Sequence, residues 1–310
     1  MSQERASVGS GPVAAIDCGT NTIKLLIGAL PEVSVRESRM VRLGQGVDAT
    51  GELAPEALER VFAAIDEYAV LIRDAGAERI RFCATSATRD ASNSAVFTAG
   101  VQERLGIAPE VLSGEEEARL AFAGAVRGLP DLATPAMVID IGGGSTELIL
   151  GTPGDGPDRA HSMNIGSVRL HERRLGGDPP SADQIAACVA DIDAALDACP
   201  VEPAEAASIV GVAGTITTIA AGALGLAAYD RDAIDRQVLA VADVQRQIDE
   251  LVAMTVAERL ALGWMHPGRA DVIDAGALVL SRILRRSPLP TLTVAETDIL
   301  DGIAWSMMGA

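Results

Sequence analysis

Two stretches of the chain carry the same order of apolar and polar positions. Residues 137–150 read Met-Val-Ile-Asp-Ile-Gly-Gly-Gly-Ser-Thr-Glu-Leu-Ile-Leu, an apolar run ending near Asp140, a glycine turn, and a second apolar run entered through Glu147. Residues 13–28 read Val-Ala-Ala-Ile-Asp-Cys-Gly-Thr-Asn-Thr-Ile-Lys-Leu-Leu-Ile-Gly, with Asp17 in the place of Asp140. Short apolar runs bounded by Gly, Ser, Thr and Asn predict strand, tight turn, strand in both places. Two such turns about one domain apart suggest two related halves that face one anion between them.

The rest of the pattern alternates between helix and strand periods. Val33–Leu43 predicts a third strand. Pro55 opens a helix in which Leu58, Val61, Ile65, Tyr68 and Ile72 recur at helical spacing, and Gly76 ends it. A buried strand is expected at Ile80–Thr85, a helix from Asn93 to Leu105, and a short strand at Pro109–Leu112. Ser113 followed three residues later by Glu116 is the signature of a capping box at a helix start. The capping box does not account for Glu117, the next residue round the helix, but acidic residues suit the positive end of a helix dipole, so an ordinary structural reading stands for Glu115, Glu116 and Glu117 alike. Gly128, Pro130 and Pro135 mark a linker, Gly151–Asp158 a turn region, and Ile165–Arg169 the approach to another helix. Further on, helices are expected at 183–198, 216–224, 243–254, 256–262, 269–285 and 298–308, and strands at 209–215 and 292–294. This order is an α/β pattern with mixed sheets.

Composition narrows the class. A chain of 310 residues is long enough for two domains, and with 48% hydrophobic but only 3% aromatic residues its core must be aliphatic. No apolar run reaches the roughly 18 residues of a membrane span, and the first dozen residues lack the apolar centre of a signal peptide. A cytoplasmic protein with no membrane partner is expected. The net charge of −18 excludes a general nucleic-acid binder, which needs a basic face. Any phosphate site must therefore be built locally, from turn N–H groups, helix N-termini, arginines and a metal. Cys18, Cys83, Cys188 and Cys199 match no zinc spacing and suit a reducing compartment; Cys18, beside the first turn, is a candidate lining residue. His161, His171 and His266 have no metal-ligand spacing and are expected at ordinary loop or surface positions.

The candidate chemistry lies in the two turns. Glycines without Cβ atoms let backbone N–H groups approach an anion, and Asp140 and Glu147 at the mouths of the turn have the oxygen chemistry of a Mg²⁺ site. The chain has one lysine, Lys24, among 24 arginines, and it lies just after the first turn. No Gly-x-Ser-x-Gly elbow and no Walker A loop is present.

Six motifs in order carry a resemblance: Asp17-Cys-Gly-Thr-Asn-Thr, Ala84-Thr-Ser-Ala-Thr-Arg89-Asp, Ser113-Gly-Glu-Glu-Glu-Ala118, Asp140-Ile-Gly-Gly-Gly-Ser-Thr-Glu147, Gly211-Val-Ala-Gly-Thr215 and Pro267-Gly-Arg-Ala-Asp-Val-Ile. From Val13 onward the chain resembles the exopolyphosphatase/guanosine pentaphosphate phosphatase family of the actin/sugar-kinase/Hsp70-like superfamily. The resemblance implies two actin-like (ribonuclease H-like) α/β domains with mixed sheets around an interdomain cleft. They would span 13–128 and 129–310 after an unstructured lead-in over 1–12, with the last helix free to pack back on the first domain. It implies hydrolysis of the terminal phosphoanhydride of inorganic polyphosphate or of pppGpp, with Mg²⁺ or Mn²⁺. By position, Glu117 matches the catalytic base, and Asp140 and Glu147 match positions that place metal and water, with Asp17 as the first-turn acid. Gly19, Thr20, Asn21, Thr22 and Gly142, Gly143, Gly144, Ser145 match the phosphate-cradling turns, with Lys24 beside the first. Arg89 matches an arginine expected to meet substrate phosphates. Many relatives continue into a His-Asp metal-binding-type helical domain, whereas this sequence ends at Ala310. Short polyphosphate or a nucleotide is therefore the substrate expected, and a homodimer the assembly that would lengthen the groove.

Two other readings stand beside the hydrolase. A small-molecule kinase of the same superfamily would need an adenosine pocket, for which Gly211–Thr215 is the candidate. A non-catalytic polyphosphate or nucleotide sensor would bind without turnover, against which the intact Glu117, Asp140 and Glu147 set argues.

Overall fold

The computed structural model describes residues 11–308. The lead-in expected over 1–12 lies, apart from Gly11 and Pro12, outside the described residues. The first sheet contains β1 (Val13–Cys18), β2 (Thr22–Ala29), β3 (Glu32–Met40), β4 (Arg79–Ala84) and β5 (Glu110–Val111), in the order β3-β2-β1-β4-β5. The β1–β2–β3 meander is antiparallel, and β4 and β5 continue the other side in parallel. The second sheet contains β6 (Ala136–Ile141), β7 (Thr146–Thr152), β8 (Gly156–Met163), β9 (Ser208–Val212), β10 (Val238–Ala240) and β11 (Thr291–Val294), in the order β10-β11-β9-β6-β7-β8. Its β6–β7–β8 meander is again antiparallel, and β9 and β11 are again parallel to β6 and to each other. With β10 set aside as an added edge, the second sheet repeats the first strand for strand. The two similar sequence stretches are the first hairpin of each repeat.

Each sheet has an aliphatic core. In the first half Ile16, Ile23, Leu25 and Ile27 pack under the helix Pro55–Asp74, whose Val61, Ile65 and Tyr68 face inward at the predicted spacing. In the second, Met137, Ile139 and Leu148 pack with the helices Ala182–Asp197, Ala213–Ala223 and Ile273–Leu284. A third cluster lies between the sheets. Ala15 and Leu26 of the first sheet and Val138, Ile149 and Val210 of the second close on the helices Gly114–Val126 and Ile299–Ser306. The central strands are thus buried on both faces, which explains why they read as continuous apolar runs. The last helix packs against β1, β2 and β4, while Gly114–Val126 packs against β6, β7 and β8. These two helices cross at glycines: a Cβ on Gly124 would stand 1.9 Å from the Asp298 carbonyl oxygen, and one on Gly302 would stand 2.0 Å from that of Leu120.

Several local expectations change. Strand β8 begins inside the expected turn region Gly151–Asp158 and runs on past it, and β10 has no counterpart in the expected pattern. The helix expected from Arg269 starts at Ile273, because residues 266–272 form turns. The capping box at Ser113 forms only by half: Ser113 accepts from the Glu116 N–H, but the Glu116 carboxylate meets Arg81 at 3.2 Å. All four cysteines are buried and free, and Cys18 faces the core of the first half rather than the site. Among the described residues no helix is long and apolar enough to cross a membrane.

Candidate active site

The two hairpins are built alike. Cys18 pairs with Ile23 and Ile141 with Thr146, so each turn holds four residues, Gly19–Thr22 and Gly142–Ser145. Each is closed by the same bond, from the Gly19 N–H to the Thr22 carbonyl at 2.9 Å and from the Gly142 N–H to the Ser145 carbonyl at 3.0 Å. The turns face and touch one another. A Cβ on Gly143 would lie 3.0 Å from Thr20 Cβ, and one on Gly144 would lie 2.6 Å from both Thr20 Oγ1 and Ser86 Oγ. None of these three glycines has a positive φ, so the run is there for room rather than for backbone conformation.

Between the turns lies a cavity of about 80 Å³, enough for a few waters or one small anion. It is lined by Asp17, Gly19, Thr20, Asn21, Thr22 and Lys24 from the first hairpin, and by Asp140, Gly142, Gly143, Ser145 and Glu147 from the second. Glu117 joins them from the first turn of its helix. The register explains the pairing of acids. Asp140 stands directly across from Glu147 in the β6–β7 ladder, and at the matching place in the first hairpin Asp17 stands across from Lys24. Glu147 in turn has Ser162 of β8 across from it, whose hydroxyl donates to Glu147 Oε1 at 2.7 Å.

Two predicted residues do not line the cavity. Arg89, expected at substrate phosphates, stands behind the cavity wall: its Nη1 donates to Oε2 of the lining residue Glu117 and to the Leu112 carbonyl, both at 2.9 Å. Gly144 packs behind the cavity, its carbonyl accepting from Arg169 Nε at 2.7 Å. Lys24 does reach the cavity, but its ammonium donates to Asp298 Oδ2 at 2.6 Å and lies 3.5 Å from Asp17. It serves to balance those acids. Asp298, the cap of the last helix, was read only as a helix start. Thr85, Ser86, Thr215 and Arg269 also line the cavity and were not singled out, although each lies inside one of the six motifs. A residue inside a motif can be found from sequence; its pointing inward cannot.

The acids are held in an unusual state. Burial pushes Glu117 up to about 7, with the charge of Asp17 adding to it, while the Arg89 guanidinium and the Thr85 hydroxyl pull it down. Burial likewise raises Asp17 to about 6 and Asp140 to about 7 against the pull of Lys24, and holds Glu147 well above the carboxylate range with Glu117 and Asp140 adding to the effect. Asp298 is instead held low by Lys24 and Arg36, against its burial. Four high-lying carboxyls around one small cavity favour a cation among them. Among the described residues no three acids, histidines or cysteines are grouped as a ready-made metal cage. A divalent cation here would take one or two of these carboxylates and complete its shell with water and phosphate oxygens.

A second cavity of about 690 Å³ opens beside the first. It shares Lys24, Ala213, Gly214 and Arg269 with it and adds Arg36, Arg231, His266, Tyr229 and Trp264. Arg269 stands at the junction, donating to Thr218 Oγ1 at 3.0 Å, and a Cβ on Gly214 would come within 2.2 Å of its guanidinium.

Comparisons with known proteins agree with this architecture. Residues 27–310 match the Ppx/GppA phosphatase family. The chain is 46% identical over 319 residues to Exopolyphosphatase 2 of Mycobacterium tuberculosis, covering 96% of this chain and 98% of that protein. It is 36% identical over 189 residues to a guanosine-5'-triphosphate,3'-diphosphate pyrophosphatase of Pseudoalteromonas atlantica, covering 60% of this chain and 37% of that one. Among solved structures, an exopolyphosphatase from Cytophaga hutchinsonii superposes with a TM-score of 0.87 at 27% identity, over 96% of this chain and 97% of the other. The Ppx/GppA family member of Aquifex aeolicus gives 0.80 at 28%, over the same shares. Two mixed sheets repeated in strand order, two matched phosphate-type turns and a match running almost the whole length place the chain in one group: it belongs to the Ppx/GppA phosphatase family of hydrolases.

Proposed function

We propose that the chain releases terminal orthophosphate from inorganic polyphosphate or from pppGpp, with Glu117 as general base. The observation that carries this reading is the position of Glu117: a buried carboxyl, raised to about 7 and gripped by Arg89, on the cavity between two matching glycine-containing turns. In the reaction the oxygen of one water bonds to the terminal phosphorus as the bridging P–O bond breaks. The water proton passes to Glu117, and the shortened chain leaves with the bridging oxygen. Free turn N–H groups on the cavity, among residues 20–22, 143 and 145, hold the terminal phosphoryl oxygens, which fixes the phosphorus in line with the water. Glu147, oriented by Ser162, anchors that water from the second hairpin. One or two of Asp17, Asp140 and Glu147 would hold Mg²⁺ or Mn²⁺, which would offset phosphate charge when bound. The larger cavity takes the rest of the substrate. Its exposed Tyr229 offers a nucleoside an aromatic surface, which keeps pppGpp beside polyphosphate. The expected assembly is a homodimer.

The deciding assay is Mg²⁺-dependent phosphate release from tripolyphosphate, long polyphosphate, pppGpp and ATP, with Glu117→Gln in parallel. Release from the first three and its loss in Glu117→Gln are expected. No release from any substrate overturns the hydrolase reading, and release that survives Glu117→Gln overturns the assigned base.

A further inference from the structure

The short helix Ser86–Asp90 ends in two neighbouring charged residues that reach different partners. Arg89 grips the Glu117 carboxylate at 2.9 Å. Asp90 accepts from Nη2 of Arg169, which lies in the helix Ser167–Arg174 of the second half. Arg169 gives its other donors to two more acceptors, Nη1 to Asp48 Oδ1 at 2.6 Å and Nε to the Gly144 carbonyl at 2.7 Å. Its side chain is only 12% exposed. One guanidinium therefore joins the phosphate-type turn to two acids from the first half, and one of those acids is the chain neighbour of the arginine that holds the proposed base.

The start of the same helix takes up the rest of the turn. The N–H of Ser167 donates to the Gly142 carbonyl at 3.0 Å, and those of Val168 and Arg169 donate to the Gly143 carbonyl at 2.9 and 3.1 Å. Gly166 must be a glycine for this fit, since a Cβ there would lie 2.5 Å from the Gly143 carbonyl. With the carbonyls of Gly142, Gly143 and Gly144 engaged from one side, the turn is held rigidly from behind. Arg169 is the member of this set that also crosses to the first half.

We infer that Arg169 is a positioning residue: through Asp90 and Arg89 it sets how far the glycine turn stands from the Glu117 carboxylate. The planar, forked guanidinium fixes direction as well as distance, and a lysine cannot meet three separated acceptors at once. The relay is complete only when the two halves are closed on each other, because Arg89, Asp90 and Asp48 come from the first and Arg169 and Gly144 from the second. In-line attack on phosphorus tolerates little error in these separations. A displacement of about 1 Å from a change away from the chemistry can cost on the order of 100-fold in rate. The kinetic side of this inference rests on the hydrolase reading above.

The experiment has two arms, run on the parent protein and on Asp90→Asn, Asp90→Ala, Arg169→Lys and Arg169→Ala. The first arm is hydrogen exchange of peptides covering 141–147, which needs no turnover. Asp90→Ala lies outside the glycine turn, and faster exchange of the turn amides in that variant is expected. Unchanged exchange in folded Asp90→Ala and Arg169→Lys overturns the relay. The second arm is phosphate release from tripolyphosphate. Asp90→Ala and Arg169→Lys should each lower kcat by about 10- to 100-fold with a smaller change in KM, and the double variant Asp90→Ala/Arg169→Ala should be no slower than Arg169→Ala alone. Fully additive losses, or kcat unchanged in both single variants, overturn it. If the parent protein releases no phosphate, the hydrolase reading fails, and the exchange arm still decides the relay.

Discussion

Glu117 shows how one side chain is prepared for its work by neighbours that sequence spacing does not reveal. Its place at a helix start was legible, where the helix dipole alone is reason enough for an acid. What was not legible is that Arg89, twenty-eight positions earlier, donates to its carboxylate. The aim of a long side chain is set by the packing of the elements that carry it, and no local pattern encodes that. The consequence is a pH dependence. A carboxyl raised to about 7 works as a base only once ionised, so kcat/KM for tripolyphosphate should climb as pH rises through about 7 and then level off. Arg89 pulls that value down, so Arg89→Met should move the rising limb to higher pH and lower the rate at neutral pH. A limb that stays in place would show that Arg89 does not act through Glu117. Glu117→Gln keeps the shape and removes the base, and a loss of about 10²–10⁴ in kcat is expected with the thermal midpoint maintained or raised. The rise would come from removing a buried carboxyl that ionises at a cost.

At the scale of elements, the two central hairpins and most helices could be read from periodicity because burial writes itself into the apolar pattern. Strand β8 could not. Gly156-Pro-Asp-Arg-Ala-His-Ser-Met163 is half-exposed and mostly polar, and it is a strand because β7 supplies it with a ladder. That unread strand matters, since it delivers Ser162 to Glu147. A hydrogen bond to a charged group contributes about 1.5–3 kcal/mol, so Ser162→Ala should lower kcat by roughly one to two orders of magnitude in steady-state phosphate release. The same change in a Glu147→Gln background should cost much less; an equal loss there would mean that Ser162 acts elsewhere. The crossing of Gly114–Val126 with Ile299–Ser306 was equally invisible, because a glycine inside a helical pattern reads as a weak position rather than a contact. Here Gly124 and Gly302 let two backbones meet, and the crossing fixes the helix of Glu117 against the Asp298 cap that holds Lys24. Overpacking costs typically about 1–3 kcal/mol and more against rigid backbone. Gly124→Ala and Gly302→Ala should therefore each lower the thermal midpoint by several degrees, whereas Gly46→Ala in an open loop should act only through its left-handed backbone. Equal midpoints for Gly124→Ala and the parent protein would show that the helices can slide apart freely.

The whole molecule concentrates acid where its ligand is acidic too. It carries a net charge of −18, and four of its carboxyls surround a cavity suited to phosphate. The structure manages this by raising the proton affinity of those carboxyls through burial. Asp17 is raised to about 6 and Asp140 and Glu117 to about 7, with Glu147 raised as well, while their values in an unfolded chain would be near 4. A group whose folded value lies above its unfolded one contributes stability that is full below the unfolded value and is lost as pH rises through the folded one. The window is therefore about pH 4 to 7. Asp298, held low, works in the opposite direction and adds stability at the upper end of the scale that is lost in acid. The expectation from the cavity, where four raised acids stand against the lowered Asp298, is a protein that in EDTA melts at a higher temperature near pH 5.5 than near pH 8. General repulsion among surface acids has the same sign, but salt screens it, while buried carboxyls are screened far less. The difference should persist at about 0.5 M KCl, and Asp140→Asn should shrink it by stabilising the protein at pH 8 alone. A cation that binds the ionised acids returns the lost stability by mass action. Millimolar Mg²⁺ should accordingly raise the midpoint at pH 8 by more than at pH 5.5, and the gain should be smaller in Asp140→Asn. Thermal melts over this grid of pH, salt and Mg²⁺ decide the matter: equal midpoints at the two pH values in EDTA, or a Mg²⁺ shift that is the same at both, would mean that the acids of the cleft neither store this instability nor hold the cation that relieves it.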